Sequence, residues 1–331
     1  MKVLFIGGSG LISTAVSKLA IKNNVDLYLL NRGNHNDSLP SEVKFIKGDI
    51  NNVKQIREAI KDYQFDVVVD WIAYNVDQVE RDYSLFKGKT KQYIFISSAS
   101  AYIKPIPTYP ITEKTPLGNK YWEYSENKKR CEEYLMSVNS KDFNVTIIRP
   151  SHTYNDQKII AAIKSWGHPY TLIDRILKGK KIIVPGNGKS LWTLTYNEDF
   201  AEAFVEVLGN KKTYGESYHI TSDFVYTWDH IHNLLYKALD VRPNIVHIPS
   251  DFIIKHAPEL EGELFGDKDW SLIFDNDKIK QIAPDYKAKT KYEDTVKTAV
   301  NRLLTNRDLQ TVDEEFNQLM DHIINEYERN N

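Results

Sequence analysis

Apolar runs alternate with helical periodicity along the first 150 residues. Continuous apolar runs are typical of strands buried on both faces of a parallel sheet, and a 3.6-residue apolar period is typical of covering helices. The predicted strands are residues 3–6, 25–30, 43–46, 65–69, 92–96 and 144–149, and the predicted helices are residues 11–20, 53–63 and 121–138. This alternation predicts an α/β fold with a doubly wound parallel sheet, which binds ligands at the carboxyl ends of its strands.

The last 180 residues are less regular and mix both kinds of pattern. They predict helices at 170–178, 197–208, 228–239, 292–305 and 312–327, and short strands at 181–184, 217–220 and 244–248. A chain of 331 residues is long enough for two domains. We predict that residues 1–155 and about 192–216 form the first domain. Residues from about 156–191 and 217–331 would form a smaller C-terminal mixed α/β domain.

A glycine cluster, Gly7-Gly8-Ser9-Gly10, stands between the first predicted strand and the first predicted helix. Without side chains, Gly7 and Gly10 let the backbone turn tightly and approach a pyrophosphate at the helix N-terminus, where Leu11 and Ile12 follow. The context of strand, glycine turn and helix predicts a dinucleotide site in the first domain. The second domain would then bind the substrate.

Two positions after later strands bear on the choice of cofactor. Neutral Asn31, followed by Arg32, ends the second strand, where a carboxylate would bind the ribose hydroxyls and repel a 2′-phosphate. A guanidinium grips phosphate well, so this pair favours NADP over NAD, unless Arg32 merely faces solvent. Asp49, after the third strand, is expected either to accept a hydrogen bond from adenine or to cap the next helix.

Tyr124 and Lys128 lie four residues apart, on one face of a predicted helix. A free phenol has a pKa near ~10, so it is a poor base unless an ammonium and an oxidised nicotinamide stabilise the phenolate. Ser98, at the end of a central strand, precedes Tyr124 by 26 residues. The three side chains together predict proton transfer beside a dinucleotide.

With these motifs the chain resembles the extended short-chain dehydrogenase/reductase superfamily, the NAD(P)-dependent epimerase/dehydratase group with a Rossmann domain. The resemblance implies that Ser98 orients a substrate hydroxyl or carbonyl, that Tyr124 is the acid/base and that Lys128 holds the nicotinamide ribose. It implies a sugar nucleotide or similar substrate and a homodimer built on the helices at 76–86 and 121–138, the second of which includes Cys131, Tyr134 and Leu135. The remaining cofactor contacts that it implies are Ile50, Ala73 and Pro150.

Departures from the family pattern narrow the expected chemistry. The sugar-nucleotide 4,6-dehydratases of this superfamily follow the catalytic serine or threonine with an Asp-Glu pair, whereas this chain has Ala99 and Ser100. We therefore expect an epimerase or reductase. The chain is also similar to an atypical branch that includes chloroplast stem-loop RNA-binding proteins, which generally lack the Tyr-x-x-x-Lys pair. The alternative is a binding protein with a catalytically idle site, possibly one that binds RNA.

Composition limits the other function classes. The formal net charge is −2, without the basic excess of a general nucleic-acid binder. A single cysteine, Cys131, excludes an intrachain disulfide and favours a reducing compartment. No apolar run approaches the ~20 residues that span a bilayer, and the histidines lack metal-ligand spacing. We expect a cytoplasmic protein without a metal site.

Overall fold

A seven-stranded parallel sheet forms the centre of the structure, a computed structural model that describes residues 1–34 and 36–330. Its strand order is β10-β6-β5-β4-β1-β2-β3, and every pairing in it is parallel. The strands are β1 (Lys2–Ile6), β2 (Asp26–Asn31), β3 (Lys44–Lys47), β4 (Phe65–Asp70), β5 (Thr90–Ile96), β6 (Asn144–Pro150) and β10 (Glu216–Ile220). The predicted doubly wound α/β fold is confirmed.

Helices cover both faces of this sheet, which explains why its central strands are continuous apolar runs. In β1, for example, Val3, Leu4, Phe5 and Ile6 have no exposed surface. The helices of the chain are α1 (Leu11–Lys22), α2 (Val53–Ala59), α3 (Val76–Phe86), α4 (Glu123–Ser137), α5 (Tyr170–Leu177), α6 (Asn197–Val205), α7 (Trp228–Leu239), α8 (Ser250–His256), α9 (Glu261–Glu263), α10 (Asp277–Lys280), α11 (Tyr292–Thr305) and α12 (Glu314–Asn330).

A smaller mixed α/β part packs against the carboxyl ends of the main strands. It contains a three-stranded sheet, order β11-β9-β7, and a parallel pair, β12-β8. Its strands are β7 (His152–Tyr154), β8 (Ile182–Pro185), β9 (Leu191–Tyr196), β11 (Val225–Thr227) and β12 (Ile245–Ile248). This part has its own apolar core, in which the largest buried side chains include Trp192 and Trp228.

The predicted boundary near residue 216 does not follow the hydrogen bonding of the sheets. β10 pairs with β6 and therefore belongs to the main sheet, although residues 217–220 had been expected in the second domain. Conversely, β9 pairs with β7 and β11 in the small sheet. The reason is that the chain crosses between the two parts more often than the pattern of apolar residues reveals.

The point where the strand order reverses lies beside β1. The chain proceeds from β1 outward to β2 and β3, and then returns to place β4 on the other side of β1. Sheets of this kind open a crevice at such a point. The glycine turn after Ile6 lies in that crevice, so the fold directs the search for a functional site there.

A buried ion pair ties α4 to the main sheet. Arg149 on β6 donates to both carboxylate oxygens of Glu132, with the shortest contact at 2.6 Å, and the two side chains are 6% and 5% exposed. Arg149 also donates to the hydroxyl of Tyr102 at 3.2 Å. Because α4 carries Tyr124 and Lys128, this pair helps to fix the position of both.

Removing one partner of this pair should be costly, because it leaves the other charge buried without compensation. We predict that Glu132→Ala lowers the free energy of unfolding by about 3–5 kcal/mol in urea denaturation. The neighbouring Glu133, 60% exposed, is the matched control, and Glu133→Ala should cost less than about 1 kcal/mol. Equal losses in the two variants would contradict the prediction.

Candidate active site

Three adjoining cavities follow the carboxyl ends of the main strands. The outer cavity, about 300 Å³, lies between the ends of β2 and β3, and includes Asn31 and Asp49. The central cavity, about 430 Å³, is bounded by the glycine turn, Tyr124 and Lys128. The inner cavity, about 280 Å³, extends from Ser98 towards the small sheet. Shared lining residues make the three cavities one continuous cleft.

The turn between β1 and α1 depends on two glycines with left-handed backbone angles. Gly7 has φ +89° and Gly8 has φ +95°, and a Cβ on Gly8 would lie 2.7 Å from the side chain of Leu29. Gly10, which the sequence analysis had singled out, has φ −87° and caps α1, donating its amide to Ser13 Oγ at 2.9 Å. The requirement for Gly8 was missed, because the letters alone do not reveal backbone angles.

The outer cavity contains the positions predicted to contact adenosine. Asn31 Oδ1 accepts the Gly33 amide at 2.9 Å, and the exposed Arg32 lines the same cavity. Asp49 lines it with Ile50 and accepts two hydrogen bonds from Asn51 at 3.0 Å. Asp49 does not cap α2, since the side chain that caps this helix belongs to Asn52.

Lys128 is held by the backbone at the ends of two main strands. Its Nζ donates to the carbonyls of Ala73 and Ile96, at 2.7 Å each, and the residue is 4% exposed. An ammonium has three N–H groups, so one remains for a ligand. Burial lowers the pKa of Lys128 to about 8. Ala73 is buried and its carbonyl accepts the bond from Lys128, while its contact with a cofactor stays a prediction.

Tyr124 reaches the central cavity from the first turn of α4. It is 37% exposed, and Lys128 Nζ lies 5.8 Å from its ring centroid. Burial raises the pKa of Tyr124, a hydrogen bond with Ser98 lowers it, and the charge of Asp267 raises it. In the protein alone burial is the largest influence on the pKa of Tyr124, so the predicted lowering, which requires an oxidised nicotinamide, stays a prediction.

Ser98 belongs to a chain of hydroxyl groups that the sequence analysis did not anticipate. Its Oγ lies 2.9 Å from Ser100 Oγ, which accepts a hydrogen bond from Ser125 Oγ at 2.7 Å. Ser98 Oγ also accepts the amide of Ser100 at 3.2 Å. These bonds fix the hydroxyl of Ser98 beside Tyr124. No spacing rule connects the three serines, since Ser125 comes from α4.

Asp267 is a further site residue that the sequence did not predict. It lines the inner cavity and lies on an irregular π-helical turn, Leu264–Lys268. Burial raises its pKa to about 6, and the charge of Lys104 acts in the opposite direction. The turn has no recognisable motif, so only the tertiary fold brings this carboxyl group towards Tyr124.

A buried polar cluster supports the loop behind Lys128. Asp70, at the end of β4, accepts the amides of Ile72 and Ala73 at 3.0 Å each. Its other oxygen accepts the hydroxyl of Tyr93 at 2.9 Å, and Tyr93 also contacts Asp82 at 3.3 Å. The carbonyl of Ala73 thus receives Lys128 from a loop that a buried carboxylate holds in place.

The unused polar groups of the central cavity fit a dinucleotide. Within residues 1–34 and 36–330, the buried Ser97 Oγ, Ser151 Oγ and Trp71 Nε1 have no hydrogen-bond partner, and all three residues line this cavity. Pro150, Leu11 and Ile12, which were predicted to contact the cofactor, line this cavity as well. Buried polar atoms are normally paired, so these groups are available to a bound ligand.

The described part of the chain has neither a helix suited to a membrane nor a cluster of side chains suited to a metal ion. None of its helices has the length and apolarity needed to cross a membrane. Nor do residues 1–34 and 36–330 contain a group of three or more His, Cys, Asp or Glu side chains placed to hold a metal ion.

Comparison with known proteins identifies the family. The model of the NAD dependent epimerase/dehydratase family matches residues 3–221. The chain is 28% identical over 266 residues, 76% of its length, to the chloroplast stem-loop binding protein of 41 kDa b of Arabidopsis thaliana, of which the match covers 67%.

Solved structures agree on the fold. An epimerase of Methanothermobacter thermautotrophicus superposes with a TM-score of 0.74 at 14% identity, over 93% of this chain and 94% of that one. A UDP-glucose 4-epimerase of Bifidobacterium longum, solved with NAD+ and UDP, superposes with a TM-score of 0.71 at 18% identity, over 94% of this chain and 100% of that one. With the family model covering most of the main sheet, the chain belongs to the NAD dependent epimerase/dehydratase family.

Proposed function

We propose that the protein is an NAD(P)-dependent epimerase or reductase that acts on a hydroxyl or carbonyl group of a sugar-nucleotide-like substrate. The observation that carries this proposal is the meeting of Ser98, Tyr124 and Lys128 in the central cavity, opposite the glycine turn. Proton transfer by a positioned side chain requires hydrogen-bond reach to the substrate. Tyr124 and Ser98 are the groups whose hydroxyls are aligned for it.

Each of the three residues has a separate task in this proposal. Tyr124 accepts the proton of a substrate hydroxyl during oxidation and returns it during reduction, while Ser98 holds the reacting oxygen. Lys128 presents its remaining N–H to the cofactor ribose and supplies a positive charge beside the phenol. When bound, a nicotinamide supplies hydride transfer at its C4. The rise in the pKa of Tyr124 on burial suits the step in which it returns a proton.

The substrate would occupy the inner cavity, next to Ser98. Three indole rings, those of Trp122, Trp166 and Trp192, line this space, and aromatic faces suit the apolar face of a sugar ring. Because positions 99 and 100 are alanine and serine, they provide no carboxylate. Ala99 is buried, and the hydroxyl of Ser100 already accepts a hydrogen bond from Ser125. We therefore keep 4,6-dehydration outside the proposal.

A second candidate is a binding protein whose site is catalytically idle. The similarity to a plant protein named for stem-loop binding favours it. That similarity concerns the chain as a whole and does not explain the hydrogen bonds that orient Lys128 and Ser98. Salt-dependent retention of RNA without cofactor turnover would support this candidate and contradict the enzyme.

Conservative substitutions at the three residues should have different effects. We predict that Tyr124→Phe reduces kcat by about 10² to 10⁴ with little change in cofactor affinity, because the phenol acts along the reaction coordinate. Lys128→Ala should weaken both cofactor binding and rate. Ser98→Ala should mainly lower the rate, by about 1.5–3 kcal/mol of transition-state stabilisation.

Steady-state kinetics and cofactor titration of the three variants provide the measurement. The matched control is Tyr121→Phe, which removes a phenol from the turn that precedes α4, three residues before Tyr124, without touching the proposed acid/base. Unchanged turnover in Tyr124→Phe would contradict the catalytic role and support the idle site.

We also propose that NADP(H) binds more tightly than NAD(H). The support is the exposed guanidinium of Arg32 in the outer cavity beside a neutral Asn31. The NAD+ in the Bifidobacterium structure supports a pyridine nucleotide but does not bear on the 2′-phosphate. Calorimetric titration should show that Arg32→Ala reduces NADP(H) affinity about tenfold, or ~1.4 kcal/mol, and leaves NAD(H) affinity nearly unchanged. Arg57→Ala, an exposed arginine on α2, is the control; tighter NAD(H) binding in the unmodified protein would refute the preference.

Finally, we propose a homodimer through α3 and α4, which pack side by side. Of the α4 residues predicted at the dimer interface, Cys131 and Leu135 face the protein's own core and cannot form this interface. The interface would instead use exposed residues of α3 and α4, among them Glu80, Arg130 and Met136. A charged contact weakens with salt. Light scattering should return twice the chain mass of 38.4 kDa at low salt, and a monomer at micromolar concentration would refute it.

A further inference from the structure

Two lysines line the inner cavity, the half-buried Lys164 and the exposed Lys158, and no carboxylate of the described chain pairs with either. Lys164 Nζ donates to the carbonyl of Ile159 at 2.9 Å, which leaves two N–H groups for another acceptor. Burial lowers the pKa of Lys164 to about 8, and the charges of Lys268 and Lys158 lower it further.

Neither carboxyl group near the cavity, Glu263 or Asp267, forms an ion pair with Lys158 or Lys164 within the described residues. Glu263 pairs with Lys268 and accepts the indole N–H of Trp166 at 2.8 Å. Asp267 is the carboxyl group that lines the cavity, and the charges acting on it are those of Lys104, Lys268 and Glu263. A buried charge is expensive unless it is paired. The unpaired charge of the half-buried Lys164, with that of the exposed Lys158 at the same cavity, therefore points to an anion that arrives with the ligand.

Unpartnered donors in the same cavity provide a second, independent indication. Trp192 is only 1% exposed, and its indole N–H has no hydrogen-bond partner within the described residues. Ser151 Oγ, which lines the same cavity, is also buried without a partner. An indole N–H can only donate. The two ammonium groups, neither of which is paired with a carboxylate, and the unpartnered indole N–H together match an acceptor-only group such as a carboxylate or a phosphate.

The size of the cavity places this anion close to the reacting centre. One cavity of about 280 Å³ includes Ser98 at one end and Lys158 and Lys164 elsewhere in its wall. This volume is at the lower end of the roughly 300–1,000 Å³ typical of small-molecule sites. A single sugar ring could reach both Ser98 and the lysines, whereas a remote charge on a large ligand would lie outside the cavity.

We infer that the sugar ring that reacts at Tyr124 itself carries a carboxylate or phosphate, and that this group binds Lys158, Lys164 and Trp192 Nε1. The inference rests on the proposed function, because it assumes that the inner cavity receives the reacting sugar. Beyond that function, the inference specifies that the sugar ring carries an anionic group and names the residues that bind this group.

Binding measurements on the Tyr124→Phe protein, loaded with cofactor, test this without turnover. Two pairs of sugars differ only at C6: UDP-glucose against UDP-glucuronate for a carboxylate, and glucose against glucose 6-phosphate for a phosphate. Calorimetric titration should show that the charged member of at least one pair binds at least tenfold more tightly. The pair that shows this effect identifies which anion the site accepts, and added salt should weaken the member with the additional charge more than its partner.

Lysine variants connect the effect to the cavity. In the same background, Lys164→Gln should erase most of the charged-sugar advantage, whereas Lys164→Arg should retain it, because a guanidinium also binds such anions. Lys297→Gln, which changes an exposed lysine on α11, should leave every affinity unchanged. Unaltered cofactor affinity in each variant verifies that the fold is intact.

The contrary outcomes separate the two proposals. Equal affinity for the two members of both pairs, or an advantage that survives Lys158→Gln combined with Lys164→Gln, overturns the inference but leaves the proposed function standing. Absence of saturable binding for all four sugars, with cofactor bound, overturns both.

Discussion

The position of one ammonium group organises the site. Lys128 Nζ is bonded to carbonyls that follow β4 and end β5, so α4 is tied to the sheet edge where both strands terminate. Two neutral carbonyls can solvate an ammonium without cancelling its charge. Burial lowers the pKa of Lys128 to about 8, yet the group still has one N–H to offer. Tyr124, one helical turn earlier, is placed by the same tie.

Opposing influences then determine the protonation of Tyr124. Withdrawal from water raises the pKa of its phenol, the bond with Ser98 lowers it, and the charge of Asp267 raises it. A group that both takes and returns a proton works best when neither form is strongly favoured at the working pH. A positive charge arriving with an oxidised cofactor would act with Ser98 against Asp267. The pKa of Tyr124, on α4, is thus subject to opposite influences from Ser98, which follows β5, and from Asp267, on the turn at 264–268.

The sequence predicted the features that depend on a local pattern of residues, but it did not predict the contacts between segments that are far apart in the chain. The parallel strands, the glycine turn and the pair Tyr124–Lys128 were visible because each is a periodicity or a short spacing. The place of β10 in the main sheet was not, since a strand of five residues does not reveal its neighbour. Asp267 and Ser125 were missed for the same reason: their contacts join residues far apart in sequence and follow no motif.

The buried cluster behind Lys128 links the two ends of the cleft. Arg81, on α3, donates to Asp82 at 2.8 Å and to Asn51, in the loop after β3, at 2.6 Å. Tyr93 connects Asp82 to Asp70, which fixes the loop whose carbonyl holds Lys128. Burial and the nearby Asp70 raise the pKa of Asp82 well above its ordinary value. A polar network that is fully satisfied rigidifies its surroundings. The outer cavity and Lys128 are therefore parts of one hydrogen-bonded unit, and a change at Asn51 has a direct structural route to Lys128.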